Sequence, residues 1–157
     1  MIMIRDYRAE DQPVFEKLNR AWIEQFFTME EIDKQVLSHP EEFILKEGGV
    51  ILMAYWNHDV AGTLALRKMK SGEYELTKMA VDPAFRGRGI GEALIVALME
   101  RARKMGLKQV ILYSNTVLEP AIRLYRRMGF QETELEPGNY ERSNIKMKME
   151  IEPATVL

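Results

Sequence analysis

The stretch that most constrains this chain runs from Tyr74 to Gly106. Residues 74–81 (YELTKMAV) alternate in character, the period-two signature of a strand, and Asp82-Pro83 stops the pattern. After RGRGIG (86–91) the period becomes helical. Ile90, Ala93, Leu94, Ala97, Leu98, Arg101, Ala102 and Met105 form one stripe, and Gly106 suits the position just past a helix end. A strand that feeds a helix through a glycine-rich turn makes an anion site. Glycines allow close backbone approach, the helix N-terminus presents free N–H groups, and Arg86 and Arg88 add positive charge.

Two common owners of such a loop fail on spacing. A dinucleotide fingerprint, G-x-G-x-x-G, would use Gly87 and Gly89 but meets Glu92 in its third place. The 66 residues beyond Gly91 are also too few for a full dinucleotide fold. A P-loop needs Gly-Lys-Ser/Thr at its end, and no reading of this segment supplies it. The plain alternative is a helix start with a tight turn and no ligand, so the surrounding chain must decide.

That chain reads as alternating strands and helices. MIMIRDY suggests a short strand. A helix starts near Ala9–Pro13 and carries Val14, Leu18, Ala21, Trp22 and Phe26 on one stripe. A second helix is expected over Met29–Leu37, capped by Thr28 with Glu31 as its capping-box partner. VILMAYW (50–56), VAGTLALRKM (60–69) and YELTKMAV sit on short turns and predict an antiparallel meander. VILYSN (110–115) is a strand. Pro120 opens a short helix closed by Gly129, and Phe130 and NIKMKMEI (144–151) begin and complete the last strands. The order predicts an α/β chain of the α+β type: a mixed, mostly antiparallel six- to seven-stranded sheet with helices on both faces. One domain is expected over residues 1–152, with 153–157 as a loose tail.

Composition removes several function classes. Lys and Arg number 22 against 24 Asp and Glu, a net charge of −2, so nothing asks for a nucleic-acid partner. No apolar run approaches the roughly 18 residues of a membrane span. The absence of cysteine excludes a thiolate nucleophile and Cys-ligated zinc, and fits a reducing, cytoplasmic setting. His39 and His58 lack metal-ligand spacing, so no metal is expected.

The segment YELTKMAVDPAFRGRGIGEALI resembles the central motif of the GNAT N-acetyltransferase superfamily: a strand, Val-x-Pro, then Arg/Gln-x-x-Gly-x-Gly/Ala opening a long helix. Downstream, SNTVLEPAIRLYRRMGF (114–130) resembles the superfamily's second signature, with Ala-Ile-x-Leu-Tyr-x-x-x-Gly-Phe. Two motifs in the right order and spacing are far less probable by chance than either alone. The resemblance implies a sheet splayed between its fourth and fifth strands to admit acetyl-CoA. It places the pyrophosphate on the amides of Arg86, Gly87, Arg88, Gly89, Ile90 and Gly91. It pairs the pantetheine arm with the backbone of Met79, Ala80 and Val81. It further implies that Asn115 contacts the cofactor, although six residues separate Asn115 from Ala121 where the compact family form has about three.

Acyl transfer from a thioester to an amine needs two proton movements, because an alkylamine with a pKa of about 10 must be deprotonated and the leaving thiolate needs a donor. The resemblance points to Tyr125 as that donor; a packing tyrosine is the plain alternative. For the base it points to Glu75, the place of the catalytic glutamate in the histone-acetylating branch. Period two puts Glu75, Thr77, Met79 and Val81 on one strand face, and so Glu75 into the cleft. The alternatives are a solvated glutamate paired with Lys or Arg, or deprotonation through a water chain. Substrate selection is expected from the first two helices, with Phe27, off the apolar stripe, as pocket candidate. Glu30, Glu31, Asp33, Glu41 and Glu42 are placed to attract a cationic amine, with a charged solvated helix as the plainer reading. Tyr140 and Arg142 are candidates for closing over the acceptor or binding its carboxylate. The leading expectation is an acetyl-CoA-dependent N-acetyltransferase acting on a primary amine of a small molecule or peptide in a ternary complex. A non-catalytic acyl-CoA-binding or regulatory module on the same fold is the alternative. Exposed strand edges make a homodimer compatible with either.

Overall fold

The structure, a computed structural model, describes residues 1–136 and 142–153. In chain order the elements are β1 (Ile2–Asp6), α1 (Gln12–Phe26), α2 (Glu31–Ser38), β2 (Val50–Trp56), β3 (Asp59–Lys68), β4 (Tyr74–Val81), α3 (Ile90–Lys104), β5 (Gln109–Ser114), α4 (Glu119–Met128), β6 (Gln131–Thr133) and β7 (Ile145–Glu150). The seven strands form one sheet in the order β1-β2-β3-β4-β5-β7-β6. All pairs are antiparallel except β4 with β5. The mixed sheet expected from the sequence is the one that forms.

Helical spacing of apolar residues decides which face each helix covers. Leu94, Leu98 and Ala102 of α3 and Ile122 and Tyr125 of α4 pack on Leu52, Leu64, Leu66, Leu76 and Leu112. Phe15 and Ile23 of α1 and Val36 and Leu37 of α2 cover the other face, on Ile51, Met53 and Ala65. Each fully buried leucine contributes about 1.5–3 kcal/mol. Among the described residues no helix is long and apolar enough to cross a membrane.

The start of α2 differs from expectation. The capping residue is Glu30, not Thr28, and its N–H donates to Asp33 Oδ2 at 3.0 Å. The box is shifted by two residues because Asp33, at the third helical position, is the carboxylate that reaches back.

Two irregularities in β4 shape the site. First, β4 pairs with β5 only at Glu75 with Ile111 and Leu76 with Leu112. Beyond Leu76 the two strands part. Second, β4 carries a bulge. From Thr63 to Ala65 on β3 the chain advances two residues while its partners move from Ala80 to Thr77, three residues on β4. Lys78 sits in this bulge with φ of 51°, a conformation that costs a non-glycine residue roughly 1–2 kcal/mol. The bulge breaks the period of two. Glu75 and Thr77 stand opposite Arg67 and Ala65 on the α1–α2 side, whereas Met79 and Val81 pack with the α3 core. The expected common face of Glu75, Thr77, Met79 and Val81 is therefore not what forms.

Close approach at the bulge depends on Gly62. A Cβ there would stand 2.9 Å from the Ala80 carbonyl oxygen and 3.1 Å from Ile90 Cγ2. A bare backbone at this point lets β4 and the first turn of α3 meet.

Candidate active site

A cavity of about 800 Å³ opens where β4 and β5 part. At the α3 end it is bordered by Arg86, Gly87, Gly89, Ile90 and Gly91. Gly87 and Gly89 both have φ of 78°, and a Cβ at either would meet nothing within 4 Å. Glycine is needed there for the left-handed conformation, not for space. Gly89 is the residue that caps α3. The first N–H groups of α3 have no acceptor within the helix and are available to an anion. Gly91 serves packing instead: a Cβ would lie 2.9 Å from Leu124 Cδ2, where α3 and α4 touch. Arg88 does not border the cavity; its guanidinium stacks over Trp56 at 4.8 Å and Phe85 at 5.4 Å.

The middle of the cavity is walled by Met79, Ala80 and Val81 on one side and by Asn115 and Tyr125 on the other. Tyr125 is buried edge-on against Phe130, with ring centroids 5.9 Å apart. Burial pushes its phenol up to about 12. Asn115 is engaged with the chain itself. Its Oδ1 accepts from the Val117 N–H at 2.9 Å, and its Nδ2 donates to the Arg142 carbonyl at 2.6 Å. It thus fastens the end of β5 to the segment before β7.

At the far end stand Trp22, Phe26, Phe27, Glu75 and Arg142. Glu75 is 1 % exposed and accepts from Arg67 Nη2 at 3.1 Å. Burial pushes its carboxyl above the ordinary range; the nearby charges of Arg67, Lys78 and Arg142 pull it back only in part. Arg67 Nε is buried and makes no hydrogen bond among the described residues.

Asp33 departs furthest from the solvated acid expected. It is 0 % exposed, and its two oxygens take four hydrogen bonds. Oδ1 accepts from Lys78 Nζ at 2.8 Å and Arg142 Nη2 at 2.8 Å. Oδ2 accepts from Arg142 Nη1 at 2.7 Å and the Glu30 N–H at 3.0 Å. Burial works to raise its pKa, but these bonds and the Lys78 charge hold it well below the usual carboxylate range. Glu30 also accepts from Arg142, at 3.1 Å. The guanidinium of Arg142 lies 6.0 Å from the ring centroids of both Trp22 and Phe27. Glu30, Glu31, Glu41 and Glu42 remain half-buried or exposed.

Tyr113, which the sequence analysis did not single out, also borders the cavity. Its hydroxyl donates to Glu136, which also accepts from Lys146 Nζ at 3.0 Å. Of the residues singled out beforehand, Glu75, Met79, Ala80, Val81, Arg86, Gly87, Gly89, Ile90, Gly91, Asn115, Tyr125, Phe27 and Arg142 all border this cavity. Tyr140 lies outside the described residues. Among the described residues no group of three or more His, Asp or Glu side chains is placed to hold a metal.

Comparison with known proteins follows the same lines. The sequence pattern of the acetyltransferase (GNAT) family matches residues 11–130, and the chain belongs to that family. An uncharacterized N-acetyltransferase of Escherichia coli is 36% identical over 85 residues, 50% of this chain and 51% of that protein. The chain spans about half or less of the length of this and two other curated relatives that it matches. A GNAT-family acetyltransferase from Staphylococcus aureus superposes with a TM-score of 0.87 at 20% identity, over 97% of this chain and 100% of that one. An acetyltransferase from Salmonella typhimurium, solved with its cofactor acetyl-CoA, superposes at 0.75 and 17% identity, over 99% and 96%.

Proposed function

We propose that this protein is an acetyl-CoA-dependent N-acetyltransferase, with residues 1–152 as its catalytic domain. It moves an acetyl group to a primary amine of a small molecule or peptide by direct attack in a ternary complex. One observation carries the reading: a buried carboxyl, Glu75, and a buried phenol, Tyr125, border the same cavity as the glycine loop.

The cavity suits an acyl-CoA. Its α3 end offers helix N-terminal amides to the pyrophosphate, beside Arg86. Past Leu76, the edge of β4 toward β5 has no strand partner among the described residues, so an extended pantetheine amide chain finds backbone N–H and C=O groups there. When bound, acetyl-CoA supplies an activated acetyl group as a thioester. A backbone N–H near Met79 or Ala80 polarises the carbonyl oxygen.

Proton handling falls to two side chains. Glu75 takes the proton of the incoming ammonium on a carboxylate oxygen. Its raised affinity for protons makes it a better base than a solvated glutamate, while Arg67 keeps it oriented. Tyr125 borders the same cavity and would stand beside the leaving sulfur. With its phenol near 12, above the range of an ordinary thiol, full proton transfer to the thiolate is uphill. Tyr125 Oη therefore acts first as a hydrogen-bond donor that steadies the thiolate.

The presence of both Glu75 and Tyr125 favours this over a module that only binds acyl-CoA. The deciding experiment incubates the protein with acetyl-CoA and a panel of amines and follows thiol release, with CoA binding measured by calorimetry. Failure of release with every amine, together with failure to bind CoA, overturns the reading. A second expectation concerns the loop alone. Gly89→Val forces a branched side chain into the left-handed region, at about 1–2 kcal/mol. The KM for acetyl-CoA should rise roughly tenfold while the KM for the amine stays put.

A further inference from the structure

Asp33 joins three segments that are distant in sequence. Through Lys78 it holds the bulge of β4, and through Arg142 it holds the segment before β7, while it sits itself in the first turn of α2. All of its acceptor capacity is taken up, and the Lys78 and Asp33 side chains are 2 % and 0 % exposed. The two cations it holds are also the charges that act on Glu75, together with Arg67.

We propose that Asp33 is a positioning residue for acetyl transfer: it locks α2, the β4 bulge and the Arg142 segment around the acceptor end of the cavity, and it balances the two cations that Glu75 works beside. The proposal rests on the reading of Glu75 as the base. Among the described residues, the charged and titratable groups that act on Glu75 come from neighbouring strands and the segment before β7. Arg67 comes from β3, Lys78 from β4, Tyr113 from β5 and Arg142 from the segment before β7. Asp33 and Glu30, at the start of α2, hold Arg142 in place. Tyr74 and Met79 belong to other contacts of the same strand and carry no charge into this set. Among the described residues these ion pairs join three cations and three carboxylates, with Asp33 the carboxylate that touches two of the cations.

Two consequences separate this role from ordinary structural support. Loss of the Asp33 charge leaves Lys78 and Arg142 less neutralised, so Glu75 releases its proton more easily. Loss of either cation has the opposite effect on Glu75. A purely structural bond gives no such opposed pair.

The experiment uses Asp33→Asn, Lys78→Met and Arg142→Met in the full chain. Glu75 is titrated by carbon-detected NMR, and KM is measured separately for amine and acetyl-CoA. In Asp33→Asn the Glu75 midpoint should fall by about half to one pH unit, and in the two cation variants it should rise by a similar amount. The KM for the amine should rise about tenfold in Asp33→Asn, with the KM for acetyl-CoA within about twofold of the parent. Should Asp33→Asn fail to fold, the two cation variants decide. A Glu75 midpoint unmoved in every folded variant, or KM values for both substrates rising together, overturns the proposal. The NMR titration needs no turnover. Full activity of Glu75→Gln would therefore sink the base assignment while leaving the charge coupling to be judged on its own.

Discussion

Glu75→Gln should lower kcat at neutral pH by on the order of 10²–10⁴ while leaving the KM for acetyl-CoA nearly unchanged. The substitution is close to isosteric, and its carbonyl oxygen can still accept from Arg67, so the loss reports the proton-accepting role. The pH profile carries the sharper signature. Burial places the Glu75 carboxyl above its ordinary value of 4.5, so the acidic limb of kcat should lie above that value and disappear in the variant. Stability should move the other way. A carboxyl whose folded-state pKa is raised contributes fully below its unfolded pKa, and that contribution is lost as pH rises through the folded value. Gln removes this loss, so the variant should melt no lower than the parent at pH 7, even though Arg67 loses its counter-charge. Stopped-flow turnover across pH, with thermal melts in parallel, checks both. A variant with parental kcat would mean that the amine loses its proton elsewhere, as through a chain of waters.

The contrast between what could and could not be read from the sequence is physical. The strand–loop–helix unit at 74–106 was legible because period, glycine placement and helix stripe are local properties that agree with one another. The order of strands and helices followed from the same signals, and the splay of β4 from β5 from the resemblance to GNAT proteins. The bulge was not legible: nothing in YELTKMAV marks Lys78 for a positive φ, and the sequence carries no glycine there. Tertiary contacts hold it, above all the bond to Asp33, 45 residues away. Asp33 itself was read as a solvated acid because Glu30, Glu31 and Lys34 surround it and its second partner lies 109 residues downstream. Its place at the third helical position, three after Glu30, was the one local signal available. The atypical spacing around Asn115 has a similar explanation. The longer loop lets its side chain clasp the Arg142 segment, a partner 27 residues on.

Asp33→Ala should destabilise the fold by about 3–5 kcal/mol at pH 7, the effect of removing one partner of a buried ion pair. Most of that comes from what is left behind. Lys78, 2 % exposed in its side chain, and Arg142, 12 % exposed, lose a carboxylate that helps offset their desolvation, and the bulge loses a contact that helps offset its strain. The pH dependence follows from the depressed carboxyl. Asp33 contributes stability above its ordinary value near 3.8, and that contribution is lost as pH falls through its lower folded value. The parent should therefore lose stability on acidification, and the Ala variant should show a flatter acid slope from a lower starting point. Urea unfolding at pH 7 and pH 3 measures both. A double variant, Asp33→Leu with Lys78→Met, should recover part of the loss, since apolar replacement of a buried pair is often near neutral whereas breaking it is not. A single-variant loss below about 1 kcal/mol would place Asp33 among ordinary surface ion pairs and remove it as the hub of the acceptor end.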